Sequence, residues 1–128
     1  MEKKYKIKMF SITLDCKEPL VLAEFYKCLL DWDIKSIGEE WIMVYNPKNE
    51  YKENPCILFQ KNNNYIPPVW PEKMNMQQQM AHIDFTVSNL DDAVQHALNC
   101  GAVLASKQYS DEWKVMIDPA GHPFCLCL

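Results

Sequence analysis

The chain has 128 residues, 48% of them hydrophobic, which suits one ordinary domain or two half-size modules sharing a core. A formal net charge of −4 leaves no basic footprint for nucleic acid. All 13 basic residues are lysines, so the planar guanidinium fork that clamps carboxylates and phosphates is missing, which argues against a strongly anionic ligand.

Met1 to Lys6 is polar and lysine-rich, with no apolar run of the signal-peptide kind behind it. No stretch approaches the ~18 apolar residues of a membrane span. A cytoplasmic location with no membrane partner is therefore expected. In that setting the six cysteines are expected as free thiols rather than disulfides.

Met9 to Cys16 alternates, with Phe10, Ile12, Leu14 and Cys16 on one face and Ser11, Thr13 and Asp15 on the other. Pro19 suits a first helical turn. Leu22, Phe25, Tyr26, Leu29 and Leu30 then follow the spacing of a helix lying on a sheet. Strands are expected at Asp33–Ile37, Trp41–Tyr45 and Cys56–Lys61, with a polar loop at Asn46–Asn54. Residues 62–79 form a connector whose three prolines within five residues forbid regular structure. Its Tyr65, Ile66, Val69 and Trp70 are too apolar for a solvated linker, so it reads as a strap across the protein.

From Met80 the pattern repeats. Ile83, Phe85 and Val87 form one strand face, and His82, Asp84 and Thr86 the other. Asn89 is placed to cap a helix carrying Asp91 and Asp92 in its first turn. Leu90, Ala93, Val94, Ala97 and Leu98 supply the buried stripe, and Gly101 the stop. Strands are expected at Val103–Tyr109, Lys114–Asp118 and Pro123–Leu128, the last two joined by the turn Asp118-Pro119-Ala120-Gly121.

The order is βαβββ twice. One such unit cannot cover its own apolar sheet face, so the two must pack or pair. The fold class is α+β: two βαβββ modules forming a curved mixed sheet, with helices outside and a concave cavity. The whole chain, 1–128, is one domain, with module one at 9–61, the strap at 62–79 and module two at 80–128.

Paired βαβββ units, Ala23-Glu24-Phe25-Tyr26 in the first helix and Asp118-Pro119-Ala120-Gly121-His122-Pro123-Phe124 near the end together resemble the glyoxalase I, bleomycin-resistance protein and extradiol dioxygenase superfamily, also called vicinal oxygen chelate. Pro67-Pro68-Val69-Trp70-Pro71 ahead of Met80-Ala81-His82-Ile83-Asp84 is similar to the glyoxalase-like subgroup. The resemblance implies four metal-ligand positions on the concave face, typically His, Gln or Glu. By position they fall on Ser11, near Leu58 to Gln60 with Gln60 as the donor, on His82, and on Cys125. Serine is a poor ligand for a divalent metal and cysteine a poor one for a hard cation. No metal or other cofactor is expected. If a divalent metal did bind, His82 would be its first ligand.

The resemblance implies two classes of function. One is an enzyme, a lyase or isomerase acting on a small carbonyl or aromatic compound. The other is a metal-free protein that sequesters a small molecule without turnover. In either, the partner is a small, mostly neutral molecule, and the protein is expected to be a homodimer.

His82 is a candidate ligand, general base or hydrogen-bond anchor, against the plainer reading of a structural histidine. Asp84 lies two residues on, on the same face, where it could orient the imidazole for acid–base work or simply pair with a lysine. Cys125 and Cys127 share a strand face and read first as buried thiols. Ser11, Thr13, Gln60, Trp41, Trp70, Trp113 and Cys125 are the candidate ligand-binding residues, with the tryptophans as walls. His122 reads as exposed or capping, and His96 as solvated on the outer side of its helix.

Overall fold

Both copies of the repeat fold as βαβββ units. The computed structural model describes residues 5–48 and 55–128. The first unit comprises β1 (Ser11–Cys16), α1 (Pro19–Leu30), β2 (Asp33–Ser36), β3 (Trp41–Tyr45) and β4 (Cys56–Lys61). The second comprises β5 (Ile83–Thr86), α2 (Leu90–Cys100), β6 (Val103–Leu104), β7 (Trp113–Ile117) and β8 (Pro123–Cys127). The opening Met1–Lys4 and most of the loop expected at 46–54 lie outside the described residues.

The units build two four-stranded mixed sheets with matching orders, β1-β4-β3-β2 and β5-β8-β7-β6. In each, the first strand runs parallel to the fourth and the remaining pairs are antiparallel. Period-2 alternation then sorts each sheet into two faces. One core joins the units. Leu22, Phe25 and Tyr26 of α1 pack with Ile57 and Phe59 of β4, with Phe124 and Leu126 of β8, and with Ala97 of α2. Tyr26 bridges the sheets, stacked on Phe59 at 5.4 Å and tilted against Phe124 at 6.2 Å. The opposite sheet faces carry separate clusters, Met43, Cys56 and Leu58 on one and Ala105, Val115 and Cys125 on the other.

Local signals act as read. Pro19 opens α1, and Asn89 caps α2 by accepting from the Asp92 N–H at 3.0 Å. The strap runs without regular structure and is tied down by Tyr65, whose hydroxyl donates to the Ala120 carbonyl at 2.7 Å.

Two expectations are corrected. The strand expected over Val103–Tyr109 ends at Leu104. Beyond Ala105 the Gln108 side chain takes over the ladder: its amide donates to the Ala105 and Val115 carbonyls and accepts from the Val115 N–H. A side chain thus satisfies groups that a longer strand would have paired. The expectation of six free thiols also fails. Cys28 near the end of α1 is disulfide-bonded to Cys100 at the end of α2, while Cys16, Cys56, Cys125 and Cys127 are free. The helices lie side by side and bring two Cα atoms 72 residues apart in sequence to 5.7 Å, inside the range a disulfide spans.

Candidate functional site

The chemistry gathers on the outer face of the second sheet, where β5 and β8 run in register. Asp84 is opposite Cys125, which is opposite Val115 of β7. His82 precedes β5 on the same side. The Gln79 amide donates to His82 Nδ1 at 3.3 Å, and His82 Nε2 lies 3.1 Å from Asp84 Oδ1. That pattern puts the ring hydrogen on Nε2, the tautomer a carboxylate partner selects. The two side chains are 41% and 60% exposed, so solvent screens the pair and it adds little to stability.

Cys125 lies beneath this pair. Burial first, then the charge of Asp84 and a hydrogen bond to it, push the Cys125 thiol up to about 12. It is an inert donor to the carboxylate, not a nucleophile. His82, Asp84 and Cys125 each offer an atom within 4.8 Å of the others, the one such group of three among the described residues.

His82 and Cys125 border a cavity of about 130 Å³ walled by Trp70, Tyr109, Trp113, Val115 and Pro123, with Gln79 and His82 at its polar side. Tyr109 stacks on Trp113 at 5.9 Å and meets Trp70 edge-on at 6.2 Å. The buried indole N–H of Trp70 has no hydrogen-bond partner among the described residues. A buried unpaired donor costs free energy and is uncommon in a finished interior.

The expected residues thus divide. His82, Asp84, Trp70, Trp113 and Cys125 come together on the second sheet. Ser11, Thr13, Gln60 and Trp41 lie on the corresponding face of the first, where Trp41 packs on Met43, Cys56 and Leu58. Thr13 borders a separate, more polar groove of about 400 Å³ with Asn62, Tyr65 and His122. Gln79 and Pro123 line both spaces. Two of the four inferred metal positions therefore fall on each sheet. With serine and cysteine at two of them, this donor set suits a hard divalent cation poorly.

Tyr109 and Gln79 were not foreseen. Both come from irregular chain, where periodicity is silent; for Tyr109 the one cue is a third aromatic between two tryptophans in sequence. The two motifs that carried the family resemblance meet elsewhere. Tyr26 donates to buried Asp118 at 2.8 Å, and the other Asp118 oxygen accepts from the Ala120 and His122 N–H groups, each at 2.9 Å. His122 Nε2 donates to the Asp15 carbonyl at 2.8 Å. This network holds the β7–β8 turn against α1 and β1, so those motifs are architectural. His96 is exposed, as expected, yet it is engaged: its Nε2 lies 3.2 Å and 3.1 Å from the Cys28 and Leu29 carbonyls.

A family model described as a glyoxalase-like domain matches residues 11–127. Solved structures share the fold. A glyoxalase/bleomycin resistance protein/dioxygenase family enzyme from Burkholderia phytofirmans superposes with a TM-score of 0.66 at 12% identity, over 91% of this chain and 94% of that one. An antibiotic-binding protein from Streptomyces gives 0.61 at 10% identity, over 98% of both. Glyoxalase I of Leishmania major, described as trypanothione-dependent, gives 0.66 at 12% identity, over 95% of this chain and 86% of that one. At such identities the likeness establishes fold alone. No curated protein matches the sequence.

Proposed function

The chain belongs to the glyoxalase-like domain family, and on that premise we propose that it binds a small, mostly neutral aromatic or carbonyl compound in the cavity beside His82, as a sequestering protein that needs no resident metal. The observation that carries this reading is the orphaned Trp70 indole N–H in a wall of that aromatic cavity. An acceptor on a bound ligand would satisfy it. Flat apolar walls with a few polar groups suit such a compound. The antibiotic-binding neighbour supports the sequestering side of the family for this fold.

At about 130 Å³ the cavity is smaller than the ~300–1,000 Å³ usual for a small-molecule site. We propose that a second copy completes it, in a homodimer that sets the Ser11, Thr13, Gln60 and Trp41 face of one protomer against the His82 face of its partner. The compartment proposed is the cytoplasm, against which the Cys28–Cys100 disulfide counts, since disulfides are rare there.

A second reading rests on one observation, the 3.1 Å approach of His82 Nε2 to the Asp84 carboxylate. An imidazole oriented by a carboxylate can move a proton at a ligand oxygen or carbon, the work of a lyase or isomerase.

The test is calorimetry with a screen of small neutral aromatics and carbonyl compounds, run with and without chelator. His82→Ala should weaken binding roughly two- to twelve-fold, the worth of one neutral hydrogen bond of ~0.5–1.5 kcal/mol, with little change in melting temperature. The chelator should change nothing. Unchanged affinity with a much lower melting temperature would make His82 structural. Conversion of a bound compound, lost in His82→Ala, would select the enzyme reading.

A further inference from the structure

The Cys28–Cys100 disulfide has a setting unlike that of the other four cysteines. Those four sit in strands, and burial first of all raises each thiol above its ordinary range. They are poor partners for exchange. Cys28 is exposed, and its disulfide joins the last turns of two helices from different modules.

His96 completes the setting. It stands one helical turn before Cys100, with Nε2 3.7 Å from Cys100 Sγ. The same nitrogen donates toward the Cys28 and Leu29 carbonyls, at the negative end of the α1 dipole. A donor so held is positioned beside the sulfur that would leave as thiolate.

We propose that Cys28–Cys100 is a reversible thiol–disulfide exchange site for low-molecular-weight thiols of the glutathione class, with His96 as the positioning residue that steadies the departing Cys100 sulfur. In the first step the thiolate of the small molecule attacks exposed Cys28 Sγ. The Cys28–Cys100 bond breaks, and Cys100 departs as a thiolate beside the His96 N–H. A second small thiolate then attacks the small molecule's sulfur in the mixed disulfide with Cys28 and releases the Cys28 thiolate. Two small thiols are oxidised to one disulfide, and the protein takes up two electrons and two protons. The small disulfide reverses each step. A better-stabilised leaving thiolate departs faster, which is where His96 acts. Opening the bond frees the α1 and α2 ends from each other and removes a cross-link spanning 72 residues.

The experiment is reduction of the folded protein by glutathione, quenched at intervals with an alkylating agent and read by mass spectrometry, with circular dichroism followed in parallel. Wild type and His96→Gln are compared, since both keep the disulfide. Opening should occur in the folded protein, be undone by oxidised glutathione, and run about three- to tenfold slower in His96→Gln. A bond that opens only in denaturant would be an inert staple and would overturn the proposal. Equal rates in the two proteins would also overturn it. Ligand calorimetry is not involved, so this outcome is independent of the binding reading.

Discussion

Asp118 is a carboxyl group in the interior, only 3% exposed. Burial raises it above the ordinary carboxylate range; nearby His122 and hydrogen bonds from Tyr26 and two backbone N–H groups pull it back without cancelling that effect. The sign of the consequence follows from proton counts. The folded state keeps this proton more tightly than the unfolded chain does, so the contribution of Asp118 to stability falls as pH rises from about 4 through its folded titration point. Asp118→Asn keeps an acceptor for the two backbone N–H groups and cannot ionise. The urea midpoint of Asp118→Asn relative to wild type should therefore improve steadily from about pH 4 to about pH 7. A relative midpoint that stays flat or worsens would show that the carboxylate is not strained by burial. Little of this could be read from the sequence. Asp118 was legible as a turn residue, because Asp-Pro-Ala-Gly signals a turn locally, but its partner Tyr26 is 92 residues away. His82 and Asp84 were legible because period-2 alternation alone puts them on one face.

At the level of elements, alternation and helical spacing located both helices and every strand, with ends shifted by a residue or two except at β6, which ends five residues early. Where a side chain stands in for backbone, that reading fails, as Gln108 does in closing the sheet beyond β6. This failure matters for the site, because it leaves Tyr109 off the ladder and against Trp113. The same limit hid the disulfide, since helix periodicity says nothing of which helices become neighbours. The strap was legible as irregular chain, but its docking point was not. It rests on Gly121, which has φ +93 and where an added Cβ would come within 2.9 Å of the Pro67 Cβ. Gly121→Ala meets both a left-handed backbone and a ring with no flexible end to move aside. It should cost about 2 kcal/mol or more in urea unfolding and change the fluorescence of Trp70 on the strap. A variant as stable as wild type with unchanged emission would show that strap and turn are not in firm contact.

For the molecule as a whole, the site residues split across two sheets that share one core and carry those residues on the faces opposite it. In the arrangement proposed, each chain presents two half-sites. Each sheet also leaves its first strand, β1 or β5, as an edge, and an uncovered edge invites pairing with another chain. The segment leading into β1 strengthens the case: Ile7, Met9 and Phe10 are 85%, 59% and 49% exposed, and Ile12 within the strand is 36% exposed. A row of apolar side chains beside an edge strand is the kind of patch that marks an interface. A symmetric homodimer covering it would bury those side chains and, in the arrangement proposed, close the cavity. Light scattering should give twice the 15.0 kDa chain mass at micromolar concentration. Ile7→Asp places a charge in the patch that the dimer would bury and should shift the protein toward the single-chain mass. Ile7 does not line the His82 cavity, so ligand affinity should fall with the dimer only if the partner supplies part of the site. A wild-type mass of one chain would remove the dimer. A dimer whose dissociation leaves affinity unchanged would keep the assembly but show that the His82 cavity is complete within a single chain.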